Sequence, residues 1–228
     1  MRLDEAGQQS TIPELISQFQ ARPWHREFAE LASTTPAPIS VRLYRSGCQT
    51  EEPIETGRGP YVVVIDGDLT TTEHAGLWTD DYTPACICIT GMLRARSLAF
   101  ANGARIFVDG GVQLAGACFG QYGDRNAVLS VGGELSASAL FLDTYTAAYA
   151  SGGIRALIYA STRYWEQLEP DIANEREGED GRFFPPALLD RYGDLDFELA
   201  IAAARAGEPL FLPGVEESFP ARLQPRPT

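Results

Sequence analysis

The sequence predicts a mainly β fold, a right-handed parallel β-helix of about five coils with flanking helices at both termini. Three observations carry the prediction. The first is a repeat: VVVIDGDL (62–69), CICITGML (86–93), RIFVDGGV (105–112) and VLSVGGEL (128–135) align so that Gly67, Gly91, Gly110 and Gly133 coincide, at steps of 24, 19 and 23 residues. Periods of this length are the signature of solenoids. The second is strict alternation. Val63 and Ile65, Ile87 and Ile89, Ile106 and Val108, and Leu129 and Val131 precede the glycine, and Leu69, Leu93, Val112 and Leu135 follow it. These positions are aliphatic throughout while those between are mixed, as expected of stacked strands that bury one side. The third is a second short strand in the later repeats, with Leu98 and Phe100, Ala117 and Phe119, and Leu140 and Leu142 as its expected inward pairs. Glycine suits the corner because a side chain there obstructs the turn or a close backbone approach.

The chain divides accordingly into a cap region (1–59), the solenoid (60–162) and a C-terminal segment (163–228) that packs on it. In the cap region, Thr11 with Glu14 forms a capping box for a helix carrying Leu15, Ile16 and Phe19 on one face; Pro23 opens a second helix with Trp24, Phe28 and Leu31. A short strand follows at 40–45. ALIYAST (156–162) reads as a degenerate fifth coil. Val62, Val64, Cys86, Cys88, Phe107 and Val128, on the outward side, are too apolar for a solvated face, so a terminal helix or another molecule covers them. Beyond the solenoid, EPDIANEREGEDGR reads as a polar mobile loop, Asp194 as the cap of a helix at 195–206 ended by Gly207 and Pro209, and PARLQPRPT as an unstructured tail.

The formal charge of −13 disfavours nucleic acid as a partner, because phosphate binding needs a positive surface. It is compatible with ordinary solubility, or with attraction of a basic protein. No segment reaches the apolar length of a membrane span, and MRLDEAGQQS lacks the apolar core of a signal peptide, so a cytoplasmic location is expected. Cys48, Cys86, Cys88 and Cys118 complete no metal-ligand set, and neither metal nor cofactor is expected. His74 is expected at the surface, and Asp66 and Asp68 as turn formers beside a corner glycine. Without a nucleophile motif or phosphate loop, a binding role is expected rather than catalysis. Tyrosines gather in the later coils beside acidic groups, which makes Tyr122, Asp124, Asp143, Tyr145, Tyr149, Glu177, Glu179 and Asp180 the candidate partner-binding residues.

The pattern in VVVIDGDL, CICITGMLRARSL and VLSVGGELSASAL resembles polymer-forming bacterial solenoids of the bactofilin kind. With LLDRYGDLDFELAIAAARAGEPLF (188–211) after it, the layout is also similar to bacterial solenoid proteins that serve as immunity proteins against polymorphic toxins. The second resemblance implies a monomer or small oligomer that occludes a basic effector; the first implies a self-associating scaffold. A carbohydrate-active or acyl-transferring enzyme is a third reading. Helical material on both sides of irregular coils departs from the filament-forming pattern, since capped ends block stacking. No functional residue carries over from either resemblance.

Overall fold

A computed structural model of the protein describes residues 1–122, 127–143, 145–161, 168–174 and 178–225. The chain opens with β1 (Gln8–Gln9), α1 (Ile12–Gln18) and α2 (His25–Thr34). The first coil is β2 (Ser40–Tyr44), β3 (Cys48–Thr50) and β4 (Ile54–Glu55); the second is β5 (Tyr61–Ile65), β6 (Leu69–Thr71) and β7 (His74–Leu77). The third is β8 (Ala85–Ile89), β9 (Leu93–Ala95) and β10 (Ser97–Ala101); the fourth is β11 (Ala104–Val108), β12 (Val112–Leu114) and β13 (Cys118–Gln121). In the fifth, β14 (Ala127–Val131) leads into one long strand, β15 (Leu135–Leu142), and in the sixth β16 (Thr146–Ala150) leads into β17 (Ile154–Ser161). There follow β18 (Ile172–Asn174), α3 (Phe197–Ala206), α4 (Val215–Ser218) and β19 (Arg222–Gln224).

The result is a β-solenoid of about six turns. Its first face is the seven-stranded sheet β1-β2-β5-β8-β11-β14-β16, parallel except for β1. Its second face stacks β3, β6, β9 and β12, and its third stacks β4, β7, β10 and β13. The two merge in the late coils because β15 runs through the corner between them and pairs with both β12 and β13.

The expected core columns form. Val63, Ile87, Ile106 and Leu129 are in register, as are Leu69, Leu93, Val112 and Leu135, and all eight are fully buried. The glycine column has a backbone cause. The N–H of Gly91 donates to the carbonyl of Gly67 (2.9 Å), that of Gly110 to Gly91 (3.0 Å), that of Gly133 to Gly110 (2.7 Å) and that of Gly152 to Gly133 (2.9 Å). A Cβ on Gly110 would lie 2.6 Å from the Gly91 oxygen. Close approach therefore selects glycine at Gly91, Gly110, Gly133 and Gly152, and Gly67 combines it with a positive φ of 133°. The aspartates beside the column bond to the next coil: Asp66 accepts from the Thr90 hydroxyl (3.1 Å) and Asp68 from the Met92 amide (2.8 Å) and from Arg94 (2.7 Å), and its bonds lower the pKa of Asp68.

Several expectations are corrected. The extra coil is the first one, hidden because Gly47 stands one residue out of step with the column and because its inward positions are Ser40, Arg42 and Tyr44. Those polar groups close the lumen: Ser40 and Arg42 donate to the Asp4 carbonyl and Tyr44 to that of Leu3, whose side chain is fully buried in the core. In the fourth coil the inward residues of the third face are Cys118 and Gly120, in register with Leu98 and Phe100; Phe119 points outward and stacks on Phe141 at 4.8 Å. Part of the tail forms a strand, since β19 pairs antiparallel with β17, while residues 226–228 lie outside the described residues, and Ile172 of the expected mobile loop is buried in β18. Asp196, rather than Asp194, caps α3 by accepting from the amides of Glu198 and Leu199. Asp194 instead holds Asn174 and the Gly178 amide.

Helices cover flanks, not ends. The capping box of Thr11 and Glu14 starts α1, and Leu15, Phe19, Trp24, Phe28 and Leu31 bury against Val41, Leu43, Val62, Val64, Cys86 and Cys88 on the outward side of the first face. Trp24 donates to Asp109 (2.8 Å), with Arg22 on the same carboxylate (3.0 Å). The C-terminal segment covers the third face, where Phe119, Phe141, Tyr159, Phe184, Phe197 and Phe211 form one aromatic cluster. At the closing end, β18 and β19 lie along β17.

Two substitutions test this architecture. Ile106→Ala should lower the unfolding free energy by about 2–5 kcal/mol through the cavity it leaves. Gly110→Ala should lower it by about 1–3 kcal/mol by forcing adjacent coils apart. Denaturant titration measures both.

Candidate functional site

Each coil must turn from the third face back to the first within a few residues. At that corner the chain places Tyr82, Asn102, Tyr122 and Tyr145 in four successive coils, all left-handed, with φ of 58°, 57°, 47° and 66°. Asparagine adopts this region readily. Asn102 shows the ordinary solution: its amide donates to the Tyr122 carbonyl (2.6 Å) and its side chain to Thr79. Tyrosine in the same conformation costs of order 1–3 kcal/mol unless something else fixes it. Yet the three tyrosines are exposed by 82%, 61% and 57%. A strained position occupied repeatedly by a large exposed ring is the feature of this surface that packing alone does not require. Tyr82 and Tyr145 were not singled out by composition for their backbone; φ is decided by the stacking.

The corner borders the part of the first face that α1 and α2 leave uncovered. There Val128, Ser130 and Ala147 are half-buried and Tyr149 is exposed, while Phe107 on the preceding strand still packs against the helices. Acidic groups surround it: Asp80 and Asp81 are exposed beside Tyr82, and Asp143 is half-buried before Tyr145. Between α2 and the corner lies a cleft of about 330 Å³, walled by Glu27, Glu30 and Leu31 of the helix and by Tyr82 to Cys86, Gly103 and Arg105 of the coils.

Of the candidate partner-binding residues, Tyr122, Asp143, Tyr145 and Tyr149 come together on this surface. Asp124 and Glu177 lie outside the described residues. Glu179 belongs to the C-terminal cover, paired with Arg182 at 3.4 Å. Asp180 is a correction. It is buried in that cover, accepting from Tyr159 (2.7 Å), the Leu195 amide (2.8 Å) and Asn174 (3.2 Å), and burial raises its pKa against the effect of these bonds. It ties the cover to the solenoid and offers no surface to a partner. Sequence reasoning left Tyr82 out of the partner-binding set and weighed Asp80 with Asp81 only as an acidic pair for polysaccharide cleavage or calcium; their signal was their place in the same inter-coil corner.

His74 is a second correction, being buried under the C-terminal cover rather than exposed. Its Nδ1 lies 2.8 Å from the Ser97 hydroxyl of the next coil. Burial first, then Arg205 and Arg96, push its pKa down to about 3, so the ring is neutral at pH 7. The cysteines are structural: Cys86 and Cys88 sit 3.6 Å apart beneath the N-terminal helices, and burial raises the Cys88 thiol well above its ordinary range. Among the described residues, no group of three or more His, Cys, Asp or Glu is placed to hold a metal ion, and no helix is long and apolar enough to cross a membrane.

Fold and site together define a parallel β-solenoid with two covered faces and one aromatic, acidic, partly bare corner. Comparison with protein-family models, curated proteins and solved structures gives no match for the chain.

Two measurements follow from these side chains. Tyr122→Asn should leave stability unchanged or raise it by up to about 1 kcal/mol, because asparagine fits the left-handed corner better; thermal unfolding reads this directly. For His74, the unfolded state takes up a proton below the ordinary histidine value of about 6.5 while the folded state resists until about 3. Its stability term is complete above the upper value and is lost as pH falls towards the lower one, at up to about 1.4 kcal/mol per pH unit. The pH dependence of unfolding should flatten in His74→Gln across that window.

Proposed function

We propose that this protein is a non-catalytic binding protein that engages a basic protein partner through the tyrosine corner and the bare half of the first face. The observation that carries the reading is the recurrence of Tyr82, Tyr122 and Tyr145 at one corner, exposed yet held in left-handed backbone, with Asp80, Asp81 and Asp143 close by in the chain. Tyrosine anchors give interfaces large rigid contact area, and surrounding carboxylates speed encounter with a positive surface. A stacked-coil scaffold fixes these groups before binding, so little ordering entropy is lost. Within this reading the partner is a toxic effector and the protein is its immunity factor, occluding it without turnover; the resemblance in the repeat and in residues 188–211 supports that identity, as does the net charge of −13.

A second reading, a self-associating scaffold, draws on β16, which among the described residues carries no further strand on its outer edge. Open strand edges favour edge-to-edge growth. Against it, the opening end of the solenoid is plugged by Leu3 and flanked by antiparallel β1.

The test is co-expression with the product of the adjacent gene, read by growth and by binding kinetics of the purified pair. The neighbour should be toxic alone and harmless with this protein. Tyr122→Asn with Tyr145→Asn should weaken the complex by at least about 2 kcal/mol, mainly through faster dissociation, whereas Asp80→Asn with Asp81→Asn should slow association and flatten its salt dependence. A harmless neighbour, or unchanged protection, removes the immunity reading; concentration-dependent fibres in sedimentation establish the scaffold instead.

A further inference from the structure

We infer that the cleft between α2 and the tyrosine corner is a receptor for a single arginine side chain, supplied by the basic partner. The inference rests on the partner-binding reading and names the group that the partner inserts.

The walls of the cleft divide by chemistry. Leu31, Pro84, Ala85 and Cys86 make an apolar side, Tyr82 stands at the corner side, Glu27 and Glu30 line the helix side, and Arg105 lines the coil side with its charge engaged by Glu27. An arginine is a long aliphatic stem ending in a planar cation, so its stem suits the apolar wall and its head suits a carboxylate pair beside an aromatic ring. Guanidinium groups also stack on aromatic faces more often than ammonium groups do.

An internal cation already engages part of this carboxylate pair. Arg105, projecting from the outward side of β11, places Nη1 on Glu27 and 3.6 Å from Glu30. That single internal cation answers two carboxylates. Glu30 makes the longer contact and its side chain is 59% exposed, so one negative charge at the mouth remains largely open to solvent. Asp80 and Asp81 add to the negative field on the other side of Tyr82. With a volume of about 330 Å³ the cleft admits one side chain and excludes a folded element.

The experiment uses the full chain and acetyl-Gly-Arg-Gly-amide, with the citrulline tripeptide as the neutral isostere and the lysine tripeptide as a second cation. Amide chemical shifts are followed through a titration into the millimolar range. The arginine peptide should perturb the amides of Ala85, Gly103 and Arg105, the citrulline peptide should not, and lysine should bind more weakly. Glu30→Gln should weaken arginine binding by about tenfold, as should Tyr82→Asn, which removes the ring while keeping a residue suited to the left-handed corner. Thermal unfolding of both variants checks that each is folded; if one is not, the remaining variant and the citrulline comparison decide the matter. Equal binding of arginine and citrulline peptides, no perturbation by either, or perturbation confined to other coils overturns the proposal. Because the assay contains no partner, the cleft can fail while partner binding through Tyr122 and Tyr145 stands, and the partner reading can fail while the cleft still takes arginine.

Discussion

The backbone ladder between coils is the interaction on which everything else in this protein depends. No coil of about 20 residues can bury its own apolar side, so each is stable only when hydrogen-bonded to the coils above and below, about 4.8 Å away. The ladder runs unbroken through the first corner because Gly67, Gly91, Gly110, Gly133 and Gly152 let the chain pass backbone against backbone. With that spacing set, Val63, Ile87, Ile106 and Leu129 have no choice but to stack.

A solenoid built this way exposes two sides of every strand, and the outward sides are where this chain departs from a plain repeat. Two separate covers solve the same problem. The N-terminal helices lie over Val62, Val64, Cys86 and Cys88, while the C-terminal segment lies over Phe119, Phe141 and Tyr159. Neither cover extends over the late coils of the first face, and alternation there changes accordingly: Ser130 and Tyr149 occupy the column that holds Val64 and Cys88 earlier. Coverage and composition therefore agree on which surface is left to solvent.

That surface adjoins the corner where the ladder imposes its strongest local demand. A left-handed residue recurs in the turns of this corner: Gly59 and Asn102 take it once each, and tyrosine takes it three times. Rings carried on loops anchored at both ends to the ladder are presented from a rigid base. Backbone strain and ring exposure thus coincide at one set of positions, and the proposed recognition role rests on that coincidence.

How much of this was legible in the sequence follows from how far each signal reaches. The repeat of Gly67, Gly91, Gly110 and Gly133 and the aliphatic columns beside them determined a parallel solenoid, because a buried column in register leaves a periodic trace; the capping box at Thr11 and Glu14 and the stop at Gly207 are equally local. The first coil escaped notice because its inward residues, Ser40, Arg42 and Tyr44, bond to the Leu3 and Asp4 carbonyls some 40 residues earlier, and no periodicity encodes that. The outward turn of Phe119, the burial of Asp180 and of His74, and the pairing of the tail with β17 depend on which segment covers which face. Tyr122, Asp143, Tyr145 and Tyr149 were visible as aromatic and acidic residues close in sequence, but Tyr82 joined them, and Asp180 left them, only through tertiary structure. The reason is that coil stacking carries residues 20 to 60 positions apart to one corner and sets their backbone angles, whereas composition records only that they are present.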